Sequence, residues 1–253
     1  MDDFGNDRVK YLMYVKENAD KGDKFYQYEY AMVLIDDEQY EESIKYLEAS
    51  SKQGYEDATY CLGLCYEQGI YYDQNIDKAK ELYTGLMNNN SGYGYKGLAD
   101  LLFYSDSSDA EKMEALDLYN KGRNKANTNY FYCDYELGVI YRRGLYVEKD
   151  LNKAVEYFLS AYEQMDDPEI SLTLGESYLN GTNGLKKDLE KAKEQLLNFV
   201  SYVNNEDEEL LNEFNELIRN TNEKEFINNL LKEINKMKDE CDDDCDCEHH
   251  HHH

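Results

Sequence analysis

Leu62-Gly63-Leu64-Cys65-Tyr66-Glu67-Gln68-Gly69 returns as Leu137-Gly138-Val139-Ile140-Tyr141-Arg142-Arg143-Gly144, and again as Leu174-Gly175-Glu176-Ser177-Tyr178-Leu179-Asn180-Gly181. Gly138 and Gly175 are 37 residues apart, and Gly63 and Gly138 are 75 apart, about two such periods. A weaker copy belongs between them, and Lys96-Gly97-Leu98-Ala99-Asp100-Leu101-Leu102 supplies it. A polar-Lys-Ala element follows the strong copies at Asp77-Lys78-Ala79, Asn152-Lys153-Ala154 and Glu190-Lys191-Ala192, with Ala115 at the matching place in the weak one. Four residues after each alanine comes a large side chain: Tyr83, Tyr119, Phe158 and Leu196. A shorter, earlier copy runs through Tyr30-Ala31 and Ser43, with Leu47 four later. Five units therefore lie between about Asp23 and Val200, and self-similarity at such a period marks stacked repeats.

Within each unit the apolar spacing is helical. Ala58, Leu62, Tyr66 and Gly69 step by 4, 4 and 3, so they share one helix face. Gly69, Gly144 and Gly181 stand where a first helix must end in the left-handed conformation. Asp167 before Pro168, the only proline, is a helix start. Gly63, Gly138 and Gly175 lower helix propensity, which close helix–helix contact explains. The expectation is an all-α, right-handed α–α superhelical solenoid of about five helix-turn-helix repeats. Residues 1–22 form an N-terminal capping helix, 23–200 the repeats, 201–238 a C-terminal helical cap, and 239–253 a disordered acidic tail ending in a tag. A polar outer helix pair is what a solenoid needs to close its last apolar face.

Leu-Gly-x-x-Tyr-x-x-Gly followed by Asp-x-x-Lys-Ala resembles the Sel-one-like repeat branch of the tetratricopeptide superfamily. The resemblance is specific in the units beginning near Glu56, Tyr130 and Pro168. The unit near Gly92 has Leu102 and Ser105 in place of the tyrosine and glycine, and the first unit's short turn, Ile35-Asp36-Asp37-Glu38, is nearer an ordinary tetratricopeptide. The resemblance implies an adaptor that holds a protein or peptide in a concave groove lined by the first helices.

Composition narrows the chemistry. Acidic residues number 54 against 27 basic, for a net charge of −27. Such a surface repels phosphate backbones and anionic lipid and draws partners with a basic patch, so nucleic acid is not an expected ligand. All five histidines are His249 to His253, which read as an appended tag, so imidazole catalysis has no residue to use. No apolar run reaches membrane-spanning length, and no secretory leader is evident. Cys61, Cys65, Cys133, Cys241, Cys245 and Cys247 form no regular disulfide framework, which points to a reducing cytoplasm. No cofactor is expected.

A stripe beside the core positions, at two before the repeat leucine and two and five after it, faces elsewhere. It reads Tyr28, Met32, Ile35; Tyr60, Leu64, Glu67; Lys96, Asp100, Phe103; Tyr135, Val139, Arg142; Leu172, Glu176, Leu179. These positions either line the groove, as the resemblance implies, or pack between repeats. From them Tyr28, Met32, Tyr60, Leu64, Lys96, Phe103, Tyr135, Val139, Arg142, Leu172 and Leu179, with Arg143 added, are the candidate partner contacts. Arg142 and Arg143 either clamp a partner's carboxylate or are satisfied by neighbouring acids. Cys241, Cys245 and Cys247 could hold a soft metal, although a structural site wants four good ligands and the surrounding acids mark a solvated end. Two further functions compete: a structural subunit contacting through its convex face or terminal helices, and a β-lactam-binding, hydrolase-like member, as the resemblance allows for cysteine-rich relatives. The second of these expects cysteine pairs in unit after unit, and here only Cys61 and Cys65 pair, within one helix.

Overall fold

A computed structural model describes residues 3–123, 131–162, 164–204 and 206–243. Its described residues form thirteen α-helices and no strand. They are α1 (Asp3–Asp20), α2 (Lys24–Asp36), α3 (Tyr40–Lys52), α4 (Glu56–Gln68), α5 (Ile76–Asn88), α6 (Gly92–Phe103), α7 (Asp109–Gly122), α8 (Phe131–Arg143), α9 (Leu151–Ala161), α10 (Pro168–Asn180), α11 (Leu189–Tyr202), α12 (Glu208–Asn220) and α13 (Lys224–Asp243). The chain divides into two compact units, residues 1–137 and 138–253, with the division inside α8. Repeat periodicity alone gives no sign of it.

The internal logic of a repeat is the same in both units. Ser43, Ala79, Ala115, Ala154 and Ala192 are fully buried, and so are the large residues four positions on, Leu47, Tyr83, Tyr119, Phe158 and Leu196. Each second helix thus turns a small and a large residue inward on one face. The large residue needs a recess, and the glycine of the first helix provides it. A Cβ at Gly63 would lie 2.2 Å from the Tyr83 ring, and one at Gly138 2.3 Å from Phe158. Leu196 fills the same place over Gly175, at 2.7 Å.

The turns repeat as faithfully as the helices. Gly69 and Gly181 close α4 and α10 with φ of 75° and 65°, and Gly144 follows α8 at 71°. Asn75, Asp150 and Asp188 cap the second helices by accepting the backbone N–H of Lys78, Lys153 and Lys191. The same cap residues donate their own N–H to the carbonyls of Tyr66, Tyr141 and Tyr178, at 2.8, 2.9 and 2.9 Å. The signature tyrosine therefore anchors the start of the next helix. The signature lysine returns to it: Lys153 and Lys191 lie over the Tyr141 and Tyr178 rings, at 4.6 and 5.2 Å. Where α6 lacks the tyrosine and glycine, buried Lys112 covers the freed carbonyls instead, donating to Phe103 O and Ser105 O at 2.6 Å each.

In the first unit each helix from α1 to α6 packs on the one after it, ending at α7, and α4 also meets α6. In the second unit α10 packs on α9, α11 and α12, and α11 on α13. Leu196 and Phe199 of α11, Leu210 and Phe214 of α12, and Phe226, Ile227, Leu230 and Ile234 of α13 form one apolar cluster. α12 and α13 bury their apolar faces there.

Candidate interaction surfaces

The wall of first helices in the first unit is built around a lysine. Lys96 Nζ on α6 lies 2.6 Å from Asp100 Oδ2, one turn on, and 3.2 Å from Glu136 Oε1 on α8. All three side chains are nearly buried. The Tyr119 hydroxyl donates to the other oxygen of Asp100 at 2.6 Å, and the Tyr104 hydroxyl donates to Glu136 at 2.8 Å. Burial by itself would lower the Lys96 pKa, but Asp100, Tyr60 and Glu136 outweigh it and hold the ammonium well above its ordinary value. Desolvation raises Glu136, opposed by Lys96. Tyr60 stacks on Tyr93 at 4.5 Å, and the Tyr93 hydroxyl donates to Asp57 at 2.8 Å. Lys96, Asp100 and Glu136 thus all have internal partners, and the cluster ties α6 to α7 and α8.

The sequence-derived contacts divide into two groups. Tyr28, Met32, Tyr60, Leu64 and Tyr135 are half-buried, with surface left to solvent. Phe103, Val139, Leu172 and Leu179 are buried at 3%, 7%, 2% and 1% exposure and belong to the core. Leu172 and Leu179 lie in the cluster that includes Leu210 and Phe214 of α12. A stripe stepping by 4 and 3 fixes which residues share a face but not the rotation of that face about the helix axis. In these first helices two adjacent faces are covered.

Arg142 is not free to clamp a partner. It is 6% exposed and donates from Nε to Thr173 at 2.8 Å, from Nη1 to Glu169 at 2.9 Å, and from Nη2 to Glu213. Arg143 takes the other side of Glu169, at 2.9 and 2.7 Å. The pair is satisfied by acids of its own unit, the second of the two expectations. Sequence reading overlooked Tyr104, a residue 61% exposed, and Glu213, 71 positions from the arginine it meets. No local spacing rule reaches that far. Among the described residues, no group of His, Cys, Asp and Glu side chains has metal-binding geometry. Cys245 and Cys247 lie outside the described residues, and only the backbone of Cys241 is described.

The family model described as Sel1 repeat matches residues 27–55, 57–84, 132–164 and 174–194. Four stretches of this chain thus match the Sel1 repeat. The first unit's pair, α2–α3, is among the matches despite its shortened turn, while α6–α7 is not matched. Sel1 repeats generally mediate protein–protein interaction. Three solved structures share the helical-repeat solenoid fold. A protective antigen of uropathogenic Escherichia coli with an SLR fold aligns at TM-score 0.60 and 19% identity, over 88% of this chain and 48% of that one. A Sel1 repeat protein from Oxalobacter formigenes aligns at 0.58 and 21%, over 79% and 58%. One from Klebsiella pneumoniae subsp. pneumoniae aligns at 0.51 and 19%, over 81% and 98%. This chain thus spans about half the length of the first two. No curated protein matches it. No helix among the described residues is long and apolar enough to cross a membrane.

Proposed function

We propose that this Sel1-repeat chain is a non-enzymatic scaffold that holds a protein or peptide partner against its first helices. The observation carrying the reading is the half-buried row Tyr28 and Met32 on α2 and Tyr60 and Leu64 on α4. Tyr28 and Tyr60 pack partly against the core, and Met32 and Leu64 beside them keep part of their apolar surface open. Side chains of this kind bind peptides through buried area rather than charge. The chemistry of the chain supports the absence of catalysis. Every histidine stands at positions 249–253. Burial pushes the Cys61 and Cys133 thiols up to about 12, which leaves neither a ready nucleophile near neutral pH. The free thiols suit a reducing cytoplasm, and the charge of −27 suits a partner with a basic patch.

Met32→Glu combined with Leu64→Glu tests the reading. Affinity capture from the source cell, followed by mass spectrometry, should lose a defined set of proteins relative to wild type. Circular dichroism of the variant should stay unchanged. An identical capture set from a folded variant would refute it. A second reading, a subunit joined to an assembly through its first helix, draws on the exposed Tyr11, Met13 and Tyr14 of α1. Light scattering that finds an obligate oligomer, lost on Met13→Glu, would favour it.

A further inference from the structure

The sequence holds two Asn-Gly pairs, Asn180-Gly181 and Asn183-Gly184, and both fall where α10 turns into α11. That turn is one residue longer than its counterparts. Gly181 precedes the cap residue Asp188 by 7 positions, whereas Gly69 precedes Asn75, and Gly144 precedes Asp150, by 6. The second residue after each of these glycines is left-handed: Tyr71, Tyr146 and Asn183, with φ of 66°, 58° and 53°. Of the three, only Asn183 carries a carboxamide and is followed by glycine. Asparagine before glycine is the pair most open to spontaneous deamidation, because glycine puts no side chain in the way of its own backbone nitrogen.

The fold treats the two pairs differently. Asn180 is the last residue of α10, and the Gly181 N–H donates to the Ser177 carbonyl. The nitrogen that would attack Asn180 is therefore held in the helix cap. Gly184 is exposed, has φ of 80°, and has open space where a Cβ would stand. Among the described residues its N–H donates to no carbonyl of the turn. Two hydrogen bonds hold the stretch around Asn183: the Leu185 N–H to Thr182 O at 2.9 Å, and Asn183 Nδ2 to Ser177 Oγ at 3.0 Å. An exposed turn held this lightly opens locally while the helices stay folded. Opening lets the Cα–C bond of Asn183 rotate until the Gly184 nitrogen faces Cγ.

We propose that Asn183 is a self-modification site, converted to aspartate and isoaspartate by attack of the Gly184 backbone nitrogen. That nitrogen gives its proton to solvent base and bonds to Asn183 Cγ. The Cγ–Nδ2 bond breaks, and ammonia leaves with a proton taken from water. Water then opens the five-membered succinimide at one of its two carbonyls. Cleavage at Cγ gives aspartate, and cleavage at the backbone carbonyl carbon gives isoaspartate. Water is the only co-reactant. Either product loses the donor to Ser177 and gains a negative charge. Isoaspartate also adds one backbone atom between Gly181 and Asp188. The Asp188 N–H bonds Tyr178 O at 2.9 Å and seats the start of α11, and the lengthened turn loosens that contact. This chemistry needs no partner and goes beyond the scaffold reading.

The test incubates the full chain in mildly alkaline buffer, once folded and once in urea. Each pair is followed by peptide mass spectrometry, with fragmentation that separates aspartate from isoaspartate. In urea both asparagines simply precede a glycine in an open chain, so their rates should agree within about twofold. In the folded protein Asn183 should convert about tenfold faster than Asn180, the rate equivalent of the backbone hydrogen bond that holds Gly181. Isoaspartate should be among the products at position 183, and the isoaspartate fraction should exchange its Asp188 amide hydrogen faster than unmodified protein. Asn180 converting as fast as Asn183 in the folded chain would overturn the assignment. So would an intact Asn183 there after the unfolded chain has been consumed. An unchanged Asp188 exchange rate in the isoaspartate fraction would overturn the loosening of α11.

Discussion

Gly138→Ala sets two known effects against each other. Inside a helix alanine is favoured over glycine by about 1 kcal/mol. At Gly138, however, the new Cβ would stand 2.3 and 2.4 Å from Cε1 and Cδ1 of Phe158, well inside the roughly 3.5–4.0 Å of carbon–carbon contact. Phe158 is fully buried and cannot swing into solvent, so α8 and α9 must part or the ring must leave its rotamer. Overpacking of this depth belongs at the upper end of the usual range of about 1–3 kcal/mol, which leaves a net loss of about 2 kcal/mol after the helix gain. Gly85→Ala is the matched control, since its Cβ would meet nothing within 4 Å and the site lies inside α5. It should gain about 0.5–1 kcal/mol. Urea unfolding followed by far-ultraviolet circular dichroism reads both, with midpoint and slope fitted separately. Phe158→Leu added to Gly138→Ala should relieve the clash, giving a coupling of at least about 1 kcal/mol in the double-mutant cycle. If Gly138→Ala stabilises as Gly85→Ala does, or if the cycle is additive, the recess explanation of the repeat glycine is wrong.

Two further expectations follow from the buried charges. Arg142→Met should lower the thermal midpoint, with a cost below the roughly 3–5 kcal/mol of an orphaned buried charge, because Arg143 still holds Glu169. Adding Glu169→Leu should recover most of that loss by calorimetry, and a double variant no better than the single would count against the network. In alkali the first unit should unfold in one cooperative step. The hydroxyls of Tyr60, Tyr83, Tyr93 and Tyr119 are raised, by burial first, above the ordinary value of 10.0. The unfolded chain therefore releases those protons earlier, and the stability they lend is complete below pH 10 and drains away as pH climbs toward the folded values. Lys96, raised from 10.5, acts in the same direction over the same window. Tyrosinate absorbance should rise together with the loss of helicity, and a gradual rise at constant helicity would exclude this account.

The parts legible in the sequence are those imposed by one repeat on itself. The small residue and the large one four later, the glycine opposite, the cap and the turn all lie within about 40 residues, and each has a distinct chemical requirement. That is why Ala154 and Phe158, or Gly181 and Asp167, could be assigned roles before any coordinates. Rotation of a first helix about its own axis is different, because it depends on how much surface its neighbours cover. Leu172 and Tyr60 hold equivalent positions, yet one is sealed in the cluster with α12 and the other is only half-buried. Partner choice over long separations, as between Arg142 and Glu213, leaves no periodic trace either.

The abundance of tyrosine has a physical reason in the same shortage of cations. With 54 acids and 27 bases, the chain cannot give each carboxylate its own lysine or arginine. Phenols supply further donors: Tyr46 to Asp20 at 2.5 Å, Tyr72 to Glu48 at 2.5 Å, Tyr83 to Glu67 at 2.8 Å, Tyr93 to Asp57 at 2.8 Å and Tyr119 to Asp100 at 2.6 Å. Each of these links two different helices or a helix and a turn. A phenol satisfies a carboxylate without neutralising it, and its rigid ring fills the space between helices at a smaller entropic cost than a lysine stem. The repeats can therefore be held in register while the surface stays strongly negative. A surface this negative attracts basic groups at long range.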